Sequence, residues 1–194
     1  TPDKIRTWES RSNVRLVQRQ EKPDLTASIL AGTATAKSDV IVVMDADLSH
    51  PPERLSAVVT PVLDGTHDVV VGSRYIAGGN TENWPLHRQL LSRIGGWIAR
   101  PICDVNDATS GFFAFRRELT ASISNHAHGY KILLELLMAN QGKLRVTEVP
   151  IIFHDRTHGT SKLSFSHQRA YIQRLITLAG GTATLNTAGR FAVV

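Results

Sequence analysis

Apolar positions along this chain follow two alternating rhythms. Residues 39–44 and 68–72 hold short continuous apolar runs, Val40-Ile41-Val42-Val43-Met44 and Val69-Val70-Val71-Gly72, each preceded by an aspartate. Runs of this length, rich in β-branched residues, read as strands covered on both faces. Residues 14–18 read as a shorter strand. Leu25, Ile29, Leu30 and Ala34 recur at helical spacing and predict a helix over 25–36. Pro51-Pro52-Glu53 opens another, with proline in its first turn and an acid near its positive end. That helix carries Leu55, Val58, Val59, Val62 and Leu63 on one face and stops near Gly65. The alternation predicts an α/β fold, a parallel sheet with helices on its faces.

The rhythm changes beyond Tyr75. Ala77-Gly78-Gly79-Asn80 reads as a loop, and Trp84-Pro85 starts a helix reaching about residue 100. Leu86, Leu90, Leu91, Ile94, Trp97 and Ile98 line one side of it, with His87, Arg88, Arg93 and Arg100 elsewhere. Residues 111–115 read as extended, 130–140 as a helix, and 144–153 as one or two strands. A polar loop over 154–161 leads to an amphipathic basic helix over 163–178. There is no internal repeat.

Composition narrows the class. The 194 residues, 42% hydrophobic and 20% charged, fit one ordinary globular domain. One cysteine, Cys103, excludes an intramolecular disulfide and fits a reducing compartment. No apolar run reaches the roughly 18 residues needed to cross a membrane. The chain opens at Thr1-Pro2-Asp3 without an initiator methionine, so it reads as a piece of a longer protein. The net charge of +5 is unevenly placed: from Arg156 onward there is no acid, while Arg156, Lys162, Arg169, Arg174 and Arg190 supply five positive charges. With Phe165, Tyr171 and Leu175 interleaved, this end reads as a surface for anionic lipid head groups. No nucleic-acid-reading module is visible, and nucleic acid is not expected as a partner.

The sharpest chemical signal is where the first long apolar run meets Asp45-Ala46-Asp47. Alternation along a strand lets Asp45 and Asp47 share one side of the turn at the carboxyl edge of the sheet, where ligands bind in open α/β folds. Two hard oxygen ligands there suit Mg²⁺ or Mn²⁺, which prefer a couple of carboxylates plus substrate phosphates. The competing reading is that Asp47 caps the turn and Asp45 is solvated. Arg156 and Lys162, six residues apart in one loop, offer a planar fork and a point charge for a phosphate group. His154 and His158, and His126 and His128, lack the further ligands a zinc site requires. Gly78-Gly79 and Gly180-Gly181 are not followed by Lys-Ser/Thr and are not phosphate cradles.

A series of motifs in fixed order carries a family resemblance. The run Asp45-Ala46-Asp47-Leu48-Ser49-His50-Pro51-Pro52-Glu53 is followed by Gly72-Ser73-Arg74-Tyr75 and by Arg88 with Ser92. Ser110-Gly111-Phe112-Phe113-Ala114-Phe115-Arg116-Arg117 and Gly129-Tyr130-Lys131 come next. Last are Glu148-Val149-Pro150 and Arg156, Gly159, Ser161-Lys162-Leu163. Over residues 13–178 this resembles glycosyltransferase family 2, and within it the dolichol-phosphate (polyprenyl-phosphate) mannosyltransferases.

The resemblance implies a GT-A, Rossmann-like fold over residues 1–178, with the family's first strand missing, and a tail over 179–194. It implies inverting transfer of mannose from GDP-mannose to a polyprenyl or dolichyl phosphate, dependent on a divalent metal, at the cytoplasmic face of a membrane. The donor would meet Asp45, Ala46, Asp47, Lys131, Arg156 and Lys162. The acceptor phosphate, itself an anion that needs little general base, would meet Arg74, Arg88 and Ser92. Asp47, Arg74 and Arg88 are the expected catalytic residues, and Asp45 and Asp47, with Ser49 as a third candidate, the metal ligands.

The chain departs from the family pattern at three points. Ser49 stands where a glutamine commonly adds a metal or donor contact. Pro23-Asp24-Leu25-Thr26 replaces a Gly-rich helix start, and the segment that reads base and ribose does not precede Thr1. A UDP-sugar donor such as UDP-glucose, or an inactive binding domain of the same fold, are therefore the alternative readings. Gly189-Arg190-Phe191-Ala192-Val193-Val194 resembles the start of a GtrA-type membrane domain.

Overall fold

The computed structural model describes residues 2–10, 13–21, 24–82, 84, 89–90, 92–94, 96, 100, 103–123, 129, 131–140 and 142–155. Its helices are α1 (Pro2–Glu9), α2 (Leu25–Thr35), α3 (Leu55–Leu63) and α4 (Ile132–Ala139). Its strands are β1 (Val40–Val43), β2 (Val69–Ser73), β3 (Asn80–Thr81), β4 (Phe113–Arg116), β5 (Val146–Pro150) and β6 (Ile152–Phe153). The main sheet has the order β1-β4-β2-β5, and β3 pairs with β6 in a parallel two-stranded sheet.

Strands β1, β2 and β5 run the same way, but β4 enters between β1 and β2 in the opposite direction. Most strands of the main sheet thus share a direction, as the α/β reading expects. The pairing differs: only the β2–β5 ladder within that sheet is parallel. All five β2 residues are buried, whereas β1 is half-buried throughout, because among the described residues it pairs on one edge only.

Alternation sorts the core into two layers. Val69, Val71, Phe113 and Phe115 pack on one face against α4, with Ile29 and Leu30 of α2 beside them. Val70, Phe112 and Ala114 face the other way, onto Val58 and Val62 of α3 and onto Ile151. Seven of the eight α4 residues are buried, six of them apolar and the seventh Glu135. On α3 the expected face narrows to Val58, Val62 and half-buried Val59; Leu55 and Leu63 are exposed.

One expected element is missing and one unexpected element is present. Residues 14–18 form no strand: the described sheet offers them no ladder partner, and a lone extended segment gains no cross-strand hydrogen bonds. Pro2–Glu9 is helical without an apolar stripe, with no residue buried, proline at its start, Asp3 in its first turn and Arg6 in its last. Such end chemistry favours a helix without burying a face.

The expected helix from Trp84 to about residue 100 is helical at its described positions 89–90, 92–94 and 96, and Arg100 N–H donates to Gly96 C=O at 3.1 Å. Arg88, the loop bearing Arg156 and Lys162, the expected basic helix over 163–178 and the tail over 179–194 lie outside the described residues.

The unusual start of α2 is a clamp. Asp24 Oδ1 accepts from Ala27 N–H at 2.8 Å and caps the helix, while Oδ2 accepts from Gly129 N–H at 2.7 Å. Buried Thr26 donates from both its backbone N–H and its hydroxyl to Gly129 C=O at 3.0 Å. The segment leading to Lys131 is thereby tied to α2. Asp24→Asn keeps one acceptor oxygen and Asp24→Ala keeps none. Urea unfolding is expected to show a loss of about 1 kcal/mol for the first and about 2 kcal/mol for the second, from the usual worth of a cap and a hydrogen bond. Equal stability of both variants and wild type would contradict the clamp.

Candidate active site

Reversal of β4 builds the site. Because Val43 and Val71 both face Phe113, the residues just before β4, Ser110-Gly111-Phe112, lie between the carboxyl ends of β1 and β2. The joint is hydrogen-bonded: Gly72 N–H donates to Phe112 C=O at 2.8 Å, and the Ser110 hydroxyl donates to Gly72 C=O at 2.7 Å. A side chain at Gly72 has no room, since a Cβ there would lie 2.8 Å from Phe112 Cδ1. Asp45 follows β1 on one flank and Arg74 follows β2 on the other.

The turn after β1 is fixed from several sides. Asp47 Oδ1 accepts from Ser49 N–H at 3.1 Å, and Ser49 C=O accepts from His154 N–H at 3.0 Å. Between them exposed Leu48 adopts a positive φ of 63°, a strained conformation for a leucine that the flanking bonds impose. The capping reading of Asp47 therefore describes one of its oxygens.

His50 is buried, stacked on Phe112 at 5.4 Å and edge-on to Phe153 at 5.2 Å. Its Nδ1 accepts from Asp45 N–H at 3.1 Å, which places the proton of the neutral ring on Nε2. Burial lowers its pKa against the pull of Asp45. The 3.9 Å approach of Nδ1 to Asp45 Oδ2 is consequently not an ion pair. Gly111 closes the site from the β4 side: a Cβ there would sit 3.2 Å from His50 Cε1 and 3.6 Å from Asp45 Oδ2.

These residues fit a hard divalent ion. The Asp45 side chain keeps 38% of its surface exposed. The Ser49 hydroxyl is buried without a hydrogen-bond partner, an oxygen in want of a ligand. Among the described residues no group of three or more His, Cys, Asp or Glu could hold a metal. That donor set suits an ion whose remaining ligands are phosphates and water, rather than an all-protein cage.

Arg74 is buried and its fork meets Asp107: Nε donates to Oδ2 and Nη2 to Oδ1, both at 2.7 Å. Asp107 Oδ2 also accepts from Arg74 N–H at 3.1 Å. A guanidinium cannot be buried without a counter-charge, which gives the physical reason. Arg74 holds the Asp107 carboxyl below its usual range despite burial, and Asp107 raises the pKa of Arg74. Glu148 on β5 supports the pair, with Oε1 accepting from Asp107 N–H at 3.1 Å and Oε2 from Asn106 N–H at 2.9 Å.

Lys131, half-buried at the head of α4, is held at a pKa of about 8 by desolvation and by Arg74, with Asp107 opposing. Ser92 is half-buried and Ala46 exposed. Asp107 and His50 are the site residues whose roles sequence reasoning missed. His50 lay inside a quoted motif, whereas Asp107 carried no signal beyond preceding Ser110-Gly111.

A family model described as Glycosyl transferase family 2 matches residues 1–123. The chain belongs to glycosyltransferase family 2. This family 2 chain is 37% identical over 205 residues to a dolichol-phosphate mannosyltransferase of Pyrococcus furiosus, covering 100% of the chain and 57% of the relative. It is 34% identical to the Saccharomyces cerevisiae protein of the same name, covering 84% and 63%. With the polyprenol monophosphomannose synthase of Mycolicibacterium smegmatis the identity is 37%, covering 80% and 62%. The chain thus spans less than two thirds of the length of these curated relatives.

Among solved structures, glucosyl-3-phosphoglycerate synthase of Mycobacterium tuberculosis in complex with phosphoglyceric acid superposes with a TM-score of 0.63 at 19% identity, covering 90% of this chain and 64% of that one. The same enzyme with Mn²⁺, UDP-glucose and phosphoglyceric acid gives 0.60 at 20%, covering 84% and 57%. These likenesses establish the GT-A, Rossmann-like fold expected of the family 2 chain. No helix among the described residues is long and apolar enough to cross a membrane.

Asp107→Asn keeps the shape of the pair and removes its negative charge. Leaving the Arg74 guanidinium buried and uncompensated is expected to cost about 3–5 kcal/mol in chemical denaturation. A loss near the roughly 0.5 kcal/mol of an ordinary surface substitution would contradict the burial of the pair.

Proposed function

We propose that this chain is the catalytic part of an enzyme that transfers mannose from GDP-mannose to a polyprenyl or dolichyl phosphate, with inversion at the anomeric carbon. The observation that carries the reading is the 37% identity, over the whole chain, to a curated dolichol-phosphate mannosyltransferase. The geometry supports it. The Asp45–Asp47 turn and the Arg74–Asp107 pair flank one sheet edge, on either side of Gly111.

In the reaction an oxygen of the acceptor phosphate forms the bond to the anomeric carbon, and the bond from that carbon to the diphosphate oxygen breaks. The bonding pair leaves with GDP. Asp45 and Asp47, with the Ser49 hydroxyl as a further oxygen, would hold Mg²⁺ or Mn²⁺, which when bound neutralises charge on the diphosphate. Lys131, Arg156 and Lys162 add positive charge for the donor. The Lys131 contribution declines as pH rises through about 8 in the unliganded protein.

The acceptor arrives as an anion, so positioning and charge compensation replace a strong general base. Arg88 and Ser92 serve that side. Arg74 acts as a positioning residue that keeps the β2 edge and the Asn106–Asp107 turn in register. The basic stretch from Arg156 to Arg190 docks on anionic lipid at the cytoplasmic face of a membrane.

Incubation with Mn²⁺, farnesyl phosphate and a panel of GDP-mannose, UDP-glucose and other nucleotide sugars tests the reading. Mannosyl transfer from GDP-mannose is expected. Transfer from a UDP-sugar alone would move the chain to the alternative donor, and no transfer from any would favour an inactive binding domain. Asp45→Asn with Asp47→Asn is expected to remove both transfer and the Mn²⁺-induced rise in Tm that ligand linkage gives the wild type. A double variant that keeps the Tm rise would overturn the metal assignment.

A further inference from the structure

The candidate cation oxygens lie within one short loop, and a single side chain closes it. Asp45 has passed the end of β1, so its N–H has left the ladder and donates to His50 Nδ1 at 3.1 Å. Asp47 and Ser49 sit inside the loop that this bond closes, joined by the bond from Ser49 N–H to Asp47 Oδ1. Leu48, at a φ of 63°, winds the loop tightly between them.

The closing ring is itself held from several sides. Phe112 stacks on it with ring planes 30° apart, and Phe153 meets it edge-on at 75°. Trp84 backs Phe153 in turn, with centroids 5.3 Å apart. A Cβ at Gly111 would come within 3.2 Å of His50 Cε1, so that glycine leaves the room the ring needs. The backbone is fixed as well. His154 N–H donates to the C=O of Ser49 just before the histidine, and Pro51 just after it steers His50 away from helical conformations.

A slot shaped for a flat ring would accept phenylalanine as readily. Histidine adds a nitrogen, and that nitrogen is committed to the backbone of Asp45. With Nδ1 accepting and the proton on Nε2, neither ring nitrogen offers a lone pair to a cation. His50 therefore acts on the site through Asp45, and through its immediate neighbour Ser49, whose hydroxyl is buried without a hydrogen-bond partner. A ring locked by packing that makes one directed bond is the support a metal-binding carboxylate requires.

We infer that His50 is a positioning residue of the cation site: seated between Phe112 and Phe153, it closes the loop from Asp45 and sets the oxygens within that loop for a divalent ion. The inference rests on the cation-site reading above and adds to it a residue that is not a ligand.

The test compares wild type with His50→Asn, His50→Gln and His50→Phe. Asparagine sets an oxygen near the place of Nδ1, and glutamine sets one near the place of Nε2. Phenylalanine fills the slot without an acceptor. Mn²⁺ is titrated by calorimetry into each protein saturated with GDP, and Tm is measured without metal. His50→Phe and His50→Gln are each expected to weaken Mn²⁺ at least tenfold, the usual loss when such support is removed. His50→Asn should retain most of the wild-type affinity while melting lower than His50→Phe, because it keeps the acceptor and loses the ring contacts. Affinity then moves against stability, which packing alone does not produce.

Mn²⁺ affinity unchanged in His50→Phe, a loss in His50→Asn as large as in His50→Phe, or affinities that follow Tm across the series would overturn the positioning role and leave the cation site standing. A wild type that binds no Mn²⁺, with or without GDP, would remove the cation-site reading and the inference with it. Should His50→Phe fail to fold, the other two variants decide. Tighter binding by His50→Asn than by His50→Gln upholds the role, and equal binding overturns it.

Discussion

The site depends on one reversed strand. Had β1 and β2 been direct neighbours, their carboxyl ends would abut, leaving no backbone between the Asp45 turn and Arg74. The insertion of β4 in the opposite sense brings the amino end of that strand, Ser110-Gly111-Phe112, to the same edge. The ladder bond from Gly72 to Phe112 and the hydroxyl bond from Ser110 to Gly72 fasten it there. Phe112 then supplies the stacking face for His50, and His50 holds the backbone of Asp45. A strand pairing thus sets where a carboxylate can sit, and a glycine at position 111 leaves the space beside it open.

On the other flank the fold buries a charge pair. The hydrogen bonds between Arg74 and Asp107, and those from Asn106 and Asp107 to Glu148, satisfy the charges that burial would otherwise penalise. The pair is a rigid ledge between β2 and the 106–110 turn rather than an open anion site. Its directional bonds specify how that turn meets the sheet.

Much of this was legible in the sequence, for reasons that differ by element. The α2 and α3 helices, the apolar runs of β1 and β2, and the carboxylates at the end of β1 all carry local signals of period, capping or abrupt change in polarity. Strand β4 was legible as extended but not as reversed, because Phe113-Ala114-Phe115 contains nothing that sets direction. Asp107 looked like any loop aspartate; its burial depends on a partner 33 residues earlier. Segment 14–18 shows the converse, a strand-like pattern left unpaired because strand formation is a property of two segments.

The central claim is that the Asp45–Asp47 turn is an incomplete cation site, finished by the phosphates of a nucleotide. Titration of Mn²⁺ into the chain by calorimetry, with and without GDP, tests it most directly. An affinity for Mn²⁺ at least tenfold higher with GDP present is predicted, a coupling of about 1.4 kcal/mol that GDP must show reciprocally toward Mn²⁺. Tight Mn²⁺ binding indifferent to GDP, or GDP binding indifferent to Mn²⁺, would contradict the account.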